Sequence, residues 1–101
     1  MTKQLYRYRF TAEVPIGDVE ASFLLAVLAT ESLHGEAQTR LDAAHHLDPN
    51  TRDLVIDAGT QVGRDLNRLF TGFIAREFGS DAFVVDRVTE HQHRHQKEFA
   101  A

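Results

Sequence analysis

The chain contains no cysteine among its 101 residues. It therefore holds no disulfide, no thiolate metal site and no thiol nucleophile, which excludes a redox role for its own side chains.

Long apolar runs are also missing. The longest, 23–29, is far too short to cross a bilayer, and residues 1–10 lack the apolar run of a signal peptide. We therefore expect a cytoplasmic protein that does not enter a membrane.

An excess of basic residues is absent as well. The formal net charge of −4 opposes general attraction to phosphate backbones or anionic lipid, so nucleic acid is an unlikely partner. An apolar content of 43% supplies enough side chains for one core, and the length suits one domain. We assign residues 1–88 to a single α+β domain and residues 89–101 to a polar, histidine-rich C-terminal tail that we expect to be flexible.

No catalytic set stands out in the sequence. Ser22 and Ser32 lie in or near the end of the first predicted helix, Ser80 follows the end of the second, and none has the setting of a nucleophile elbow. The sequence therefore favours a protein that is not an enzyme.

The hydrophobic periodicity changes five times along the chain and predicts strand, helix, strand, strand, helix, strand. Residues 5–14 alternate as a half-buried strand, and the first helix follows Pro15. A hairpin joins strands at 37–47 and 53–58 through a turn. A second helix covers 62–78, and a last strand ends at Val88.

Six elements in this order suit a two-layer α+β sandwich of the ferredoxin-like βαββαβ kind, with a four-stranded antiparallel sheet and two helices on one face. The right-handedness of crossovers favours the strand order 4-1-3-2. We expect the helices to cover the side of the sheet that bears Tyr6, Tyr8 and Phe10. Mostly polar side chains then fall on the other, open face: Arg7, Arg9, Arg40, Asp42, His46, Val55 and Asp57.

The first predicted helix is apolar around most of its circumference. Its buried stripe is formed by Val19, Phe23, Ala26, Val27 and Thr30. Three leucines, Leu24, Leu25 and Leu28, lie outside that stripe. Because a small monomer rarely leaves such a surface in water, we expect a partner subunit or a ligand to cover it.

Two places offer groups that bind anions. The first is the open face of the sheet, where the candidate residues are Arg7, Arg9, Arg40 and Asp57. The second is the segment 57–64, which leads from a strand to a helix and offers Thr60, Gly63 and Arg64 together with free backbone N–H groups. Solubility alone accounts for mixed charges on a sheet face, and chain reversal alone accounts for the glycines.

The tail offers a candidate metal site. His91, His93 and His95 occupy alternate positions, so an extended tail presents three imidazoles together to a divalent transition metal such as Zn²⁺, Ni²⁺ or Cu²⁺. A solvated polar tail without a metal is the alternative. We expect no other cofactor.

The first hypothesis for function is a small, non-catalytic cytoplasmic domain that forms a homodimer or docks on a partner protein. One alternative is a metal-binding protein that uses the C-terminal histidines. The other is a small oligomeric enzyme or binder of an anionic metabolite on the open sheet face.

Overall fold

The computed structural model describes residues 3–89, which form four strands and three α-helices. In chain order the elements are β1 Leu5–Phe10, α1 Ile16–His34, α2 Glu36–Asp42, β2 His45–Asp48, β3 Asp53–Asp57, α3 Gln61–Phe78 and β4 Phe83–Val88. A short 3-10 turn, Ser80–Ala82, precedes β4.

The four strands form one antiparallel sheet in the order β2-β3-β1-β4. This is the order 4-1-3-2 read from the other edge, as the crossover argument predicts. The hairpin register is also as expected, because Leu47 pairs with Leu54 and His45 with Ile56. That register collects the apolar side chains on one face, whereas a one-residue slip would move those of one strand to the opposite face of the sheet.

The ferredoxin-like element order βαββαβ is wrong, because a third helix stands between α1 and β2. Gly35, at φ 87°, ends α1, and the chain then forms α2 in place of the first half of the strand predicted over 37–47. Segment 36–42 is rich in good helix formers, and Arg40 bonds Glu36 one turn earlier at 2.7 Å. The fold is therefore α+β with the element order βααββαβ.

The core lies between the sheet and the helix layer. Tyr8 and Phe70 are its largest fully buried side chains, and their rings meet edge to face with centroids 5.0 Å apart. Phe23 of α1 meets the same ring of Phe70 at 5.6 Å, so both long helices pack on one aromatic centre. The helices cover the Tyr8 and Phe10 side of the sheet, as expected.

No helix within residues 3–89 is long and apolar enough to cross a membrane. The tail predicted over 89–101 lies outside the described residues except for Thr89.

Candidate functional site

The outward face of α1 carries an exposed apolar surface, which we call the leucine patch: Leu24, Leu25 and Leu28. These side chains are 62%, 59% and 58% exposed. At 100° per residue they lie on the side of the helix opposite Val19, which is fully buried. All three residues predicted to lie outside the buried stripe are therefore at the surface.

The inner face of α1 buries polar residues that could have stood on the outward face in place of the leucines. Ser22 is 7% exposed and Thr30 is fully buried. The Thr30 hydroxyl donates to the Ala26 carbonyl oxygen at 2.7 Å, which satisfies it without a second element. The helix thus buries two hydroxyl side chains while it leaves three leucines in water.

The outward face of α3 has the opposite character. Its buried stripe is strongly apolar, whereas Arg64, Arg68 and Arg76 fall on the side away from the sheet. Arg68 and Arg76 are exposed, and within residues 3–89 neither forms an ion pair. In the sequence these arginines recur at helical spacing, which is a signal for a basic face. The apolar stripe of the same helix is the more conspicuous pattern.

A polar contact joins the ends of the two long helices. His34, in the last turn of α1, lies with Nε2 2.7 Å from Asp65 Oδ2 in the first turn of α3. The hydrogen bond from His34 is the main reason why the pKa of Asp65 lies below its ordinary value. Gln61 adds a second donor to the same carboxylate, at 3.0 Å. The contact joins the last turn of α1 to the first turn of α3.

Arg7 and Arg9 do share the open face of the sheet. Arg7 is only 5% exposed, and its guanidinium lies 3.8 Å from Asp86 on β4. Burial, and then the charge of neighbouring Arg9, lower the pKa of Arg7. Arg9 itself is exposed. Sheet pairing places Asp53 beside Arg9 on the same face, so the two cations stand among carboxylates.

Of the other residues predicted for that face, Asp57 does lie on it, whereas Arg40 and Asp42 do not. Arg40 lies on α2, where Glu36 binds it, so it does not belong to the sheet. Asp42, also expected on the open face, is the last residue of the same helix. Asp57 is on β3, and its Oδ1 accepts hydrogen bonds from the Gln4 N–H at 3.1 Å and from the Gly59 N–H at 2.9 Å. The carboxylate therefore ties the end of the strand to its neighbours.

The segment before α3 forms a closely packed helix cap. The Thr60 hydroxyl accepts from the Gly63 N–H at 2.9 Å and donates to the Asp42 carbonyl oxygen at 2.9 Å. Gly63 lies so close to β3 that an ideal Cβ would stand 2.1 Å from the carbonyl oxygen of Asp57. Arg64 bonds the Gln61 side chain at 3.0 Å. The helix cap and its close packing on β3 explain why Thr60 and Gly63 occupy these positions.

A shallow cleft of about 580 Å³ lies where the end of β1, the start of α1 and the end of α3 meet. Four of its lining residues are acidic: Glu13, Asp18, Glu77 and Asp81. The first two are more than 50 residues from the last two in the sequence, so only the topology brings the two pairs together. Neither these carboxylates nor any other group of three or more His, Asp or Glu side chains within residues 3–89 is arranged so that it could hold a metal ion. The predicted metal ligands His91, His93 and His95 lie outside that range.

In comparisons with known proteins, no family model, no curated protein and no solved structure matches the chain.

Proposed function

We propose that the chain is a small, non-catalytic interaction domain of the cytoplasm that acts by self-association or by docking on a partner protein, with the leucine patch as its contact surface. The observation that supports this most is that α1 carries apolar side chains on its outward face as well as on its inner face. Three leucines between 58% and 62% exposed stand on a helix whose inner face buries Ser22 and Thr30. Apolar surface of this kind, rimmed by charges, is typical of a protein interface.

The surroundings of the patch fit an interface of the docking type. Interfaces place apolar side chains at the centre and charged residues at the rim. Here Glu20 precedes the leucines by one turn and Glu31 follows them by about one turn on the same helix. A surface of this composition binds a partner that offers apolar groups at its centre and cations at its edges.

The open face of the sheet gives less support to the alternative of an anion binder. Its two arginines, Arg7 and Arg9, share the face with several carboxylates. These are Asp48, Asp53, Asp57 and Asp86, on the neighbouring strands. An anion placed there meets net negative charge, which weakens its binding.

Sedimentation velocity tests the proposal. Untagged wild-type chain is compared with the double variant Leu24→Ser, Leu28→Ser from about 1 µM to about 500 µM. The matched control is Leu33→Ser, because Leu33 is 66% exposed on the same helix but lies about 140° around it from Leu28. We expect association of the wild type and the control, and a monomeric double variant.

Partner docking is tested with the same three proteins as bait. A partner that wild type and control recover, and that the double variant loses, supports the proposal. A chain that stays monomeric and recovers no partner dependent on the leucines contradicts it.

A further inference from the structure

The strand β4 forms a free edge of the sheet. Among residues 3–89 it pairs with β1 on one side, and no strand or loop bonds the backbone on its other side. The Thr11 N–H donates to the Ala82 carbonyl oxygen at 3.0 Å, which fixes the alternation of bonded pairs along β1 and β4. The residues of β4 whose N–H and C=O groups turn away from the sheet are therefore Phe83, Val85 and Arg87.

β4 lacks the devices that protect such an edge from pairing. Its six residues include no proline or glycine, and they pair with β1 without a bulge. Both charged side chains already contact β1. Asp86 lies 3.8 Å from Arg7, and the Arg87 guanidinium lies 5.6 Å from the centre of the Tyr6 ring. The opposite edge, β2, has only four residues and is mostly polar. β4 is therefore the edge of this sheet that is open to a further strand.

Both faces of β4 are apolar at the centre of the strand. Val84, on the open face, is 60% exposed, and Val85 is 39% exposed although it lies on the helix side, opposite Tyr8. A strand added beside β4 would place a side chain next to each valine and remove part of this surface from water. Asp86 and Arg87 follow the valines, one on each face. The strand that fits is therefore apolar opposite the valines, basic opposite Asp86 and acidic opposite Arg87.

The β4 strand of a second copy does not have this pattern. In an antiparallel pair, residues with outward backbone groups must face each other, which leaves four registers that overlap by at least three residues. In these registers Asp86 faces Asp86, Val84, Val88 or Ala82 of the other copy. No such register gives Asp86 a cation. Charge therefore favours a strand of a different protein as the occupant of this edge.

We propose that the free edge of β4 is a docking site for an extended segment of a partner protein, which adds to the sheet as a fifth, antiparallel strand. Read from its N-terminus, the segment carries an acidic, a basic and two apolar residues, opposite Arg87, Asp86, Val85 and Val84 in turn. Main-chain hydrogen bonds provide the affinity of such a site, and the side-chain pairs provide its specificity. The site goes beyond the proposed function, because it lies on a different element from the leucine patch.

A synthetic peptide with this pattern tests the site. The probe is a capped hexapeptide, Thr-Glu-Lys-Val-Val-Thr, whose Glu is designed to lie opposite Arg87, and NMR spectra follow the exchange of backbone amides with solvent. We expect the amides of Phe83, Val85 and Arg87 to exchange rapidly in the free protein and to become protected when the peptide binds. If they are already protected in dilute free protein, another part of this chain covers the edge, and the proposal is wrong.

Substitutions in β4 show whether the peptide binds at this edge. Val85→Pro removes an outward N–H that makes no bond to β1, so the sheet keeps its bonds while the peptide Kd should rise at least about tenfold. Val85→Thr keeps the N–H and is the matched control, with a Kd within about threefold of wild type. Arg87→Glu should weaken binding by about three- to tenfold, and a peptide with Lys in place of Glu should restore it.

The outcomes are independent of the leucine patch. The double variant Leu24→Ser, Leu28→Ser should bind the peptide with the wild-type Kd, so loss of peptide binding and loss of self-association are separate results. Outward amides that stay unprotected at millimolar peptide, or a peptide that binds Val85→Pro as tightly as wild type, overturn the docking site. Self-association that Val85→Pro abolishes and the leucine substitutions leave unchanged would make a second copy the occupant and overturn the partner segment.

Discussion

Two glycines of α3 allow a sharp test of the packing between this helix and the sheet. Gly63 lies in the first turn, where an ideal Cβ would stand 2.1 Å from the Asp57 carbonyl oxygen. Gly72 lies in the fourth turn, where nothing stands within 4 Å of the added atom. The same substitution, to alanine, should therefore have opposite effects on stability at two positions of one helix.

The magnitudes follow from three terms. Alanine is about 0.8–1 kcal/mol better than glycine inside a helix, and Gly72→Ala should gain most of this amount. At Gly63 the helix must move by about 1 Å from the strand, which costs about 1–3 kcal/mol as overpacking. The movement also lengthens the bond from the Gly63 N–H to Thr60, whose loss as a cap costs about 1 kcal/mol. Gly63→Ala should therefore lower the free energy of unfolding by about 1–3 kcal/mol.

Urea unfolding followed by circular dichroism measures both variants at one protein concentration, and a tenfold dilution shows whether association contributes. The reasoning is refuted if Gly63→Ala is as stable as wild type, or if it is more stable and so changes in the same direction as Gly72→Ala. In either case α3 does not approach β3 as closely as the structure shows.

Three further predictions concern single groups. Tyr8→Phe removes a hydroxyl that lies 2.5 Å from Asn67 Oδ1 and 2.6 Å from Thr71 Oγ1. The substitution should lower the free energy of unfolding by about 1–2 kcal/mol. An unchanged urea midpoint would show that these hydrogen bonds do not stabilise the fold. The pKa of Asp65 is lower in the folded chain than its ordinary value of 3.8. Its contact with His34 therefore stabilises the fold at pH values above 3.8, and this contribution is lost as the pH falls through the lowered pKa of the folded state. The destabilisation caused by Asp65→Asn should therefore shrink between about pH 5 and about pH 2; a pH-independent difference would contradict this. If the three clustered tail histidines bind metal, Zn²⁺ added to chelator-treated protein should bind, and their replacement by alanine should abolish this binding; equal calorimetric traces for both proteins would exclude the site.

Strand pairing is the part of the fold that the sequence determines most directly. The pairing of Leu47 with Leu54 follows from the rule that one face of the sheet must collect the apolar side chains. Strand order follows from crossover handedness, and the long apolar stripe of α3 follows from its period. These features are set by patterns that extend over many residues.

The short helix α2 is the feature that the sequence does not reveal. Seven residues carry too few turns for a period to be recognised, and isolated helices of that length are unstable. Packing decides the outcome, because Thr39 is 3% exposed and its hydroxyl donates to the Gly35 carbonyl oxygen. The place of Arg40 on α2 follows from this choice, so its expected position on the sheet was wrong.

The candidate site divides in a similar way. The exposure of Leu24, Leu25 and Leu28 follows from the helical period alone, because they stand outside a stripe that suffices for burial. The acidic cleft depends on the topology, since Glu13 and Asp81 approach only when β1 and α3 end at the same edge.

The strength of self-association can be bounded from the leucine patch. Burying a leucine fully gains about 1.5–3 kcal/mol, so six leucines about 60% exposed gain roughly 6–10 kcal/mol when two copies cover each other. Association costs at least about 4 kcal/mol of translational and rotational freedom. The net gain of at most about 6 kcal/mol gives a Kd between about 40 µM and the millimolar range, so the dimer should be sought at high concentration.

The most direct measurement is sedimentation velocity of the untagged wild type across that range, beside Leu24→Ser, Leu28→Ser. The account predicts a reversible, concentration-dependent dimer for the wild type and a monomer at every concentration for the double variant. A dimer that persists unchanged when both leucines are replaced would contradict the claim that this face of α1 is the contact surface.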